Sequence, residues 1–314
     1  MTHNGIGGYL PLELSRGSDY YPLSIKLNSG RNCLRYILDA YEYRKIYLPH
    51  YSCNALLEPL MNKGIDFEFY GINNDFSPKF KKKLENDSAM IIINYFGLQV
   101  KNNVRNRDEN IIIDNSQAFY LEPVQGVPTF YSPRKFFGVP DGGYLFCDKK
   151  ILLPDKRDVS HHRTMHLILR ADGNTEDGYG YYKTHENGFT LIPLKQMSTL
   201  TRSILKSISY DEISEIRRVN FLYLHKALSA ENELLIDQKN IYGPMAYPLL
   251  RKNGKVLKEK LLKNDVFIAT YWPEVLGRTN QNDFEYYLTE NLLALPVDQR
   301  YTHSDMEKIV SLLT

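Results

Sequence analysis

One lysine of the chain lies in a setting that suits covalent chemistry. Lys135 is followed directly by Phe136 and Phe137 and, seven residues on, by the pair Gly142-Gly143. An amine in a partly apolar loop is suited to forming a Schiff base with an aldehyde. Most lysines of a folded protein are solvated surface groups, so Lys135 taken alone does not decide between the two interpretations.

A carboxylate follows the most apolar short run of the sequence. The run Ile111-Ile112-Ile113 leads into Asp114, and Gln117 follows three residues later. A buried parallel strand brings the residue at its carboxyl end to the edge of the sheet where α/β proteins bind ligands. Asp114 would serve equally well as a cap for the next element, so this segment leaves both roles open.

A glycine marks the third candidate segment, Asn28-Ser29-Gly30-Arg31-Asn32. It has the composition of a strand end followed by the start of a helix. Backbone N–H groups at a helix N-terminus, together with the helix dipole, favour a phosphate group. An ordinary strand-to-helix turn has the same composition, so phosphate binding is one of two readings.

These segments lie in an alternation of short strands and helices that extends from about residue 25 to 150. Helices are predicted to begin at Gly30 and after Ser52, the second of them ending at Gly64. The strand-length apolar runs between them are 46–48, 67–70, 89–93 and 111–113. This alternation predicts crossover connections and a doubly wound α/β domain with a mostly parallel sheet.

The pattern changes after about residue 148. A glycine-containing polar stretch that reaches residue 194 is predicted to be rich in loops, and Met197 to Leu228 is predicted to be helical. The remainder predicts a small α+β domain, with strands at 245–250, 266–269 and 292–295 and a closing helix at 304–313. We therefore predict two domains, 1–196 and 197–314.

Composition excludes several classes of protein. The chain has 314 residues, a net charge of +2 and 43% hydrophobic residues, which is typical of a globular protein and does not indicate nucleic acid as a partner. Its apolar runs are too short to span a bilayer, and residues 1–20 lack the features of an export signal, so a cytoplasmic protein is expected.

Metal and disulfide chemistry are not predicted either. The three cysteines are widely spaced and form no CxxC pair. His162 and His166 are one helical turn apart, but they lack the glutamate or cysteine neighbours of a typical metal site. The pair Arg217-Arg218 would contact a diphosphate or, as is more common, face solvent on a helix.

The order and spacing of the three segments resemble those of the DegT-type (DegT/DnrJ/StrS-like) sugar aminotransferases, a branch of the fold type I pyridoxal-phosphate (PLP) enzymes. The resemblance extends to Tyr47 through Cys53, to Asn94-Tyr95-Phe96-Gly97 and to Leu295-Pro296. It covers nearly the whole chain and is clearest from about residue 25 to 150. It implies a large doubly wound domain with a mostly parallel sheet and a small C-terminal α+β domain.

The resemblance also implies roles around the cofactor ring. Lys135 would hold PLP as an imine and transfer protons, Asp114 would pair with the protonated pyridine nitrogen, and Gln117 would form a hydrogen bond near the ring oxygen. Cys53 falls where many members of the family have an aromatic residue that stacks on the ring. Tyr51 is an alternative stacking residue.

For the cofactor phosphate, the resemblance implies backbone amides of Arg31 and Asn32, after Gly30. The family usually has a phosphate-binding serine five residues before the lysine, and Phe130 occupies that position in this sequence. We expect Ser132, three residues before Lys135, to compensate.

The function implied is that of a homodimeric PLP-dependent aminotransferase. It would transfer an amino group from an amino acid, with glutamate expected, to a nucleotide-linked keto-sugar in the synthesis of surface polysaccharide or related sugars. The segment from Asp172 to Gly188 would reach the partner's site. One alternative is another PLP reaction on the same fold, such as a dehydration, although Lys135 argues against the dehydratase branch that lacks the lysine. A second alternative is a binding protein of this fold without catalysis.

Overall fold

The computed structural model describes residues 6–98, 110–190 and 192–314, and its main feature is a sheet built from the first half of the chain. The strands of this sheet are β1 (Ile25–Leu27), β2 (Lys45–Pro49), β3 (Asp66–Ile72), β4 (Pro78–Lys79), β5 (Ser88–Ile93), β6 (Ile111–Asp114), β7 (Thr129–Tyr131) and β8 (Gly143–Phe146). Over the described ranges they form one eight-stranded sheet in the order β1-β8-β7-β6-β5-β2-β3-β4.

Most neighbouring strands of this sheet are parallel. The pairs β2–β3, β2–β5, β5–β6 and β6–β7 are parallel. Strand β8 is antiparallel to both β1 and β7, so β1 runs in the same direction as the central strands. Every residue of β5 and β6 is buried, as expected for continuous apolar strands covered on both faces. The predicted doubly wound, mostly parallel α/β fold is confirmed.

The helix after β1 shows how local sequence determines an element. Ser29 is the N-cap of helix α1 (Gly30–Tyr41), and its Oγ accepts a hydrogen bond from the Asn32 amide at 3.1 Å. Its apolar side chains, including Leu34 and Ile37, are buried against the sheet. The next helix, α2 (Leu57–Lys63), ends at Gly64 as predicted, where a φ of 64° favours glycine.

The glycine-containing stretch from about residue 148 to 194 was predicted to be loop-rich, and that prediction is wrong for residues 165–187. It contains two packed helices, α3 (Met165–Ala171) and α4 (Thr175–Asn187). Asn174 caps α4 by accepting a hydrogen bond from the Asp177 amide at 3.3 Å. A Cβ on Gly178 would lie 3.4 Å from the His166 carbonyl oxygen, so the two helices are in van der Waals contact at this point. We call this pair of helices the α3–α4 hairpin.

The rest of the chain forms a smaller arrangement of helices and strands. Its elements are α5 (Thr199–Lys206), α6 (Tyr210–Leu228), β9 (Ala246–Leu250), α7 (Gly254–Leu262), α8 (Phe284–Asn291), β10 (Leu292–Pro296) and α9 (His303–Leu313). Strands β9 and β10 form an antiparallel pair. The predicted strand at 266–269 does not form. Helix α9 begins at Thr302, which forms a reciprocal cap with Asp305, rather than at Ser304. The domain boundary at 196/197 stays a prediction.

None of the helices within the described ranges is both long enough and apolar enough to cross a membrane.

Candidate active site

The predicted site segments meet at one edge of the sheet. Strands β1, β2, β5, β6 and β7 run in the same direction, so their carboxyl ends lie along this edge. The segments that follow them carry Gly30, Cys53, Phe96, Asp114 and Lys135. Ligands of open α/β sheets bind at this edge, so the topology brings the candidate residues to the expected place.

Asp114 is the last residue of β6, and its carboxylate is buried. The Ser116 amide donates a hydrogen bond to Asp114 Oδ1 at 2.7 Å. Burial raises the pKa of Asp114, while the positive charge of Lys135 and hydrogen bonds from Ser116 act in the opposite direction. The acid and the amine therefore lie close enough to interact electrostatically.

Lys135 ends a short 3₁₀ turn that follows β7. Its amide donates to the Ser132 carbonyl at 3.2 Å, and the Phe136 amide donates to the Pro133 carbonyl at 3.0 Å. Phe136 and Phe137 are buried, whereas Lys135 is exposed. The predicted apolar surroundings thus anchor the loop, and the lysine side chain itself remains accessible.

Gln117 presents a hydrogen-bond donor for which the described part of the chain supplies no acceptor. Its Oε1 accepts a hydrogen bond from the Phe96 amide at 2.9 Å, which orients the side-chain amide. Its Nε2 is buried and has no partner within the described ranges. A buried donor without an acceptor is costly, so this atom fits a ligand that supplies an oxygen. The predicted contact of Gln117 to the ring oxygen of PLP stays a prediction.

Gly30 lies beside the side chains of two serines. A Cβ on Gly30 would lie 3.6 Å from Ser116 Oγ and 3.7 Å from Ser132 Cβ. The two serines come from the loops after β6 and β7, and Gly30 begins α1, where the dipole favours an anion. Ser116 was not singled out from the sequence, although its position two residues after Asp114 could have indicated it. Together these residues form what we call the serine cradle: Gly30, Ser116 and Ser132.

The other positions considered for phosphate binding, Asn32, Arg31 and Phe130, have different surroundings. The Asn32 amide already donates to Ser29 Oγ, and its side chain donates to Asn28 Oδ1 at 2.7 Å. The helix cap therefore competes with a phosphate for that amide. Arg31 lies in the first turn of α1, where amides lack acceptors within the helix. Phe130 is buried in the core, so it contributes no polar group.

Cys53 lies in the loop after β2 and is partly exposed. Burial raises the pKa of its thiol, and the nearby charge of Lys135 acts in the opposite direction. Tyr51, the alternative stacking residue, is fully buried and packs against Tyr95 and Trp272, with ring centroids 5.5 and 5.2 Å away. Of the two candidate stacking residues, Cys53 is therefore more exposed than Tyr51.

A segment from the C-terminal half of the chain holds the Cys53 loop. The Arg278 guanidinium donates to the Ser52 carbonyl and to Asn54 Oδ1, while Glu274 accepts a hydrogen bond from the Asn54 amide at 2.9 Å. These contacts join residues more than 200 positions apart, and no local sequence pattern indicated them.

The Gly142-Gly143 pair braces the start of α1. A Cβ on Gly143 would lie 2.6 Å from the Ser29 carbonyl oxygen and 2.7 Å from Cys33 Sγ, distances that real Cβ atoms do not adopt. The neighbouring Asp141 is fully buried and accepts hydrogen bonds from the Ser198 amide and hydroxyl at 2.9 and 2.6 Å. The motif after Lys135 therefore positions the start of α1, beside the serine cradle.

Two histidines of the α3–α4 hairpin lie close together. His166 and His185 have ring centroids 4.8 Å apart, and His162 lies in a separate turn. Burial, with the charge of Arg134 nearby, lowers the pKa of His185 to about 3. Over the described ranges, no group of three or more His, Cys, Asp or Glu side chains is arranged to hold a metal ion.

No protein-family model matches the chain, and no curated protein matches it. Solved structures resemble it over most of its length. The sugar aminotransferase CalS13 from Micromonospora echinospora has a TM-score of 0.65 at 12% identity, covering 93% of this chain and 87% of that one. A DegT DnrJ EryC1 StrS aminotransferase from Brucella abortus gives 0.63 at 14% identity, with coverages of 92% and 84%. Spr1654 from Streptococcus pneumoniae in its PLP form gives 0.64 at 12% identity, with coverages of 92% and 85%. The fold implied by the resemblance to DegT-type sugar aminotransferases is confirmed.

Proposed function

We propose that this protein is a PLP-dependent aminotransferase that acts on a nucleotide-linked keto-sugar, with glutamate as the amino donor. The observation that carries the proposal is the meeting of Lys135, Asp114 and the serine cradle at one sheet edge. The likeness to solved aminotransferases that act on sugars supports the reaction class and the substrate class. Synthesis of surface polysaccharide or a related sugar is the context we propose.

The residues present fit the ring of PLP. Asp114 offers a buried carboxylate to a protonated pyridine nitrogen, and Gln117 Nε2 offers its unused donor to the ring oxygen. Lys135 offers an accessible amine for covalent attachment. When bound, the cofactor supplies an electron sink for the bond broken at the donor's α-carbon. Once released from its covalent bond, Lys135 Nζ would accept the proton from that carbon and pass it to the cofactor. In the second half of the reaction it would deliver a proton to the sugar carbon that receives the amino group.

The residues also fit the cofactor phosphate. Ser116 and Ser132 offer two hydroxyl donors on one side, and Gly30 and Arg31 lie at the start of α1 on the other. Charge-assisted hydrogen bonds of this kind are the strong ones in proteins. This cradle takes the place of the serine that the family usually has at the position of Phe130.

We also propose that the active protein is a cytoplasmic homodimer. The α3–α4 hairpin presents Ile168, Tyr179 and Tyr181, which are 52%, 59% and 53% exposed in the single chain. It also contacts the residue next to Lys135, because Arg134 pairs with Glu186 of α4. A second copy of the chain that packed on this face would cover the active site around Lys135. Sedimentation of an active monomer would contradict the dimer.

The test of the function is to load the purified protein with PLP, reduce it with borohydride and map the modified peptide. We expect the pyridoxyl group on Lys135 and a loss of the visible cofactor band when L-glutamate is added before reduction. Lys135→Ala should abolish covalent binding and turnover. Lys149→Ala, which alters an exposed lysine, is the matched control.

Each other outcome selects a different function. A pyridoxyl group on another lysine would overturn the site. A coloured protein that does not respond to glutamate or other amino acids would favour a different PLP reaction, such as a dehydration. A protein that takes up no PLP would favour a binding protein of this fold.

A further inference from the structure

Arg217 is buried in the middle of α6, which is unusual for an arginine. It is 2% exposed, whereas its neighbour Arg218 faces solvent and pairs with Glu215 at 2.7 Å. The sequence predicts that Arg217 either contacts a diphosphate or faces solvent. Because Arg217 is buried, the structure supports neither role. A buried guanidinium is costly unless its N–H groups find acceptors.

The acceptors of Arg217 come from three separate segments. Its Nη2 donates to the Phe136 carbonyl at 3.2 Å, its Nη1 donates to the Pro244 carbonyl at 3.1 Å, and its Nε donates to Gln299 Oε1 at 3.0 Å. Within the described ranges, Arg217 takes part in no ion pair at salt-bridge distance. Burial lowers the pKa of Arg217 to about 10, so it remains charged at neutral pH.

Arg217 and Gln299 both donate hydrogen bonds to Phe136, the residue next to Lys135. The Phe136 carbonyl accepts from Arg217 and also from Gln299 Nε2 at 3.0 Å. The Arg217 guanidinium lies over the Phe136 ring, 4.8 Å from its centroid. Phe136 is thus fixed through both its backbone and its side chain. We call Arg217 and Gln299 the Phe136 clamp.

We propose that Arg217 is a positioning residue, which acts through the Phe136 clamp to fix the base of the Lys135 side chain. The inference rests on the proposed function, in which Lys135 Nζ reacts with the cofactor and moves a proton. The lysine side chain is exposed, so the place that its amine reaches depends on where its backbone is held. A displacement of about 1 Å at a reacting group costs roughly 100-fold in rate.

The test compares Arg217→Met, Arg217→Lys and Arg218→Met, the last as the matched control. Three quantities are measured for each protein: the unfolding midpoint, the rate at which the cofactor-free protein takes up PLP, and the single-turnover reaction with L-glutamate. We expect Arg217→Met to slow PLP uptake and the maximal glutamate rate by at least about tenfold. The half-saturating glutamate concentration should change by less than about threefold, because the donor does not contact Arg217.

Arg217→Lys should recover part of both rates, since an ammonium can still donate to the Phe136 carbonyl, and Arg218→Met should behave as the wild type. A folded Arg217→Met with wild-type uptake and turnover would overturn the proposal. If that variant does not fold, Gln299→Leu decides. It removes the other donor to the Phe136 carbonyl, together with the acceptor of Arg217 Nε, and keeps the Arg217 guanidinium in the protein. Wild-type rates in Gln299→Leu would then overturn the clamp.

The failure of the proposed function is distinguishable. Wild-type protein that takes up no PLP at Lys135 overturns both the function and the clamp. Wild-type protein that reacts as expected, with variants that match it, overturns only the clamp.

Discussion

Substitution of Gly143 by alanine tests whether strand β8 positions the start of α1. The added Cβ would lie 2.6 Å from the Ser29 carbonyl oxygen and 2.7 Å from Cys33 Sγ. Ordinary contacts of Cβ atoms begin at 3.4 Å, so one of the two elements must move by about 0.8 Å. Strand β8 is held between β1 and β7, so we expect the start of α1 to move.

Two effects follow from this displacement. Overpacking of this kind costs about 1–3 kcal/mol of stability. The same movement displaces Gly30 from Ser116 and Ser132, which now lie at contact distance from its Cβ position. Loss of one charge-assisted hydrogen bond to a phosphate costs about 1.5–3 kcal/mol, which corresponds to roughly 10-fold to 100-fold weaker PLP binding.

The assay is urea unfolding of the cofactor-free protein together with spectroscopic titration with PLP. Gly180→Ala is the matched control, because a Cβ there would meet nothing within 4 Å and α4 should gain about 0.5–1 kcal/mol of stability. Gly143→Ala with wild-type unfolding and wild-type PLP affinity would refute the claim that β8 braces α1.

Three further predictions concern single side chains. Asp114→Asn should leave PLP bound but lower the maximal rate by orders of magnitude, because an amide does not hold the ring nitrogen protonated; steady-state kinetics near wild type would mean that another acid serves. Ser132→Ala and Ser116→Ala should each weaken PLP retention on dialysis by about tenfold or more, since each removes a phosphate donor. Ser207→Ala is the control and should retain PLP, because its hydroxyl donates to the Ile204 carbonyl at the end of α5. Full retention in both site variants would exclude the serine cradle. His185→Gln should reduce the loss of stability on acidification, measured by urea unfolding at pH 5 and pH 7.5. The unfolded histidine takes up a proton below about pH 6.5, whereas the folded one has a pKa of about 3, so its contribution is present above pH 6.5 and declines towards pH 3. An unchanged pH dependence would show that other groups cause the acid sensitivity.

Those parts of the site that follow from local patterns could be predicted. The apolar runs of β5 and β6 identified buried parallel strands, and the topology of such strands brings Asp114 and Lys135 to one edge. Ser132 was predicted because it is near Lys135 in sequence. In each case, the information lies within a few residues of the position concerned.

Contacts between distant segments could not be predicted. Arg278 reaches the loop of Cys53 across more than 200 residues, and the burial of Arg217 depends on acceptors at 136, 244 and 299. The α3–α4 hairpin was missed for a different reason. Its glycines lower helix propensity, but Asn174 caps α4 and the two helices pack against each other, so tertiary packing overrides the local preference.

Under the proposed function, the register of β6 and β7 provides a way to bind the cofactor phosphate although position 130 is a phenylalanine. Asp114 lies directly opposite Phe130 in the parallel pair. The residues two positions further along each strand, Ser116 and Ser132, therefore emerge side by side beyond the edge of the sheet. Ser116 Oγ and Ser132 Cβ lie 3.6 and 3.7 Å from the position that a Cβ on Gly30 would occupy, so both side chains are next to the start of α1. Phe130 remains free to fill the core. A phosphate site built in this way depends on strand register rather than on a single serine, and each hydroxyl is placed by its own strand.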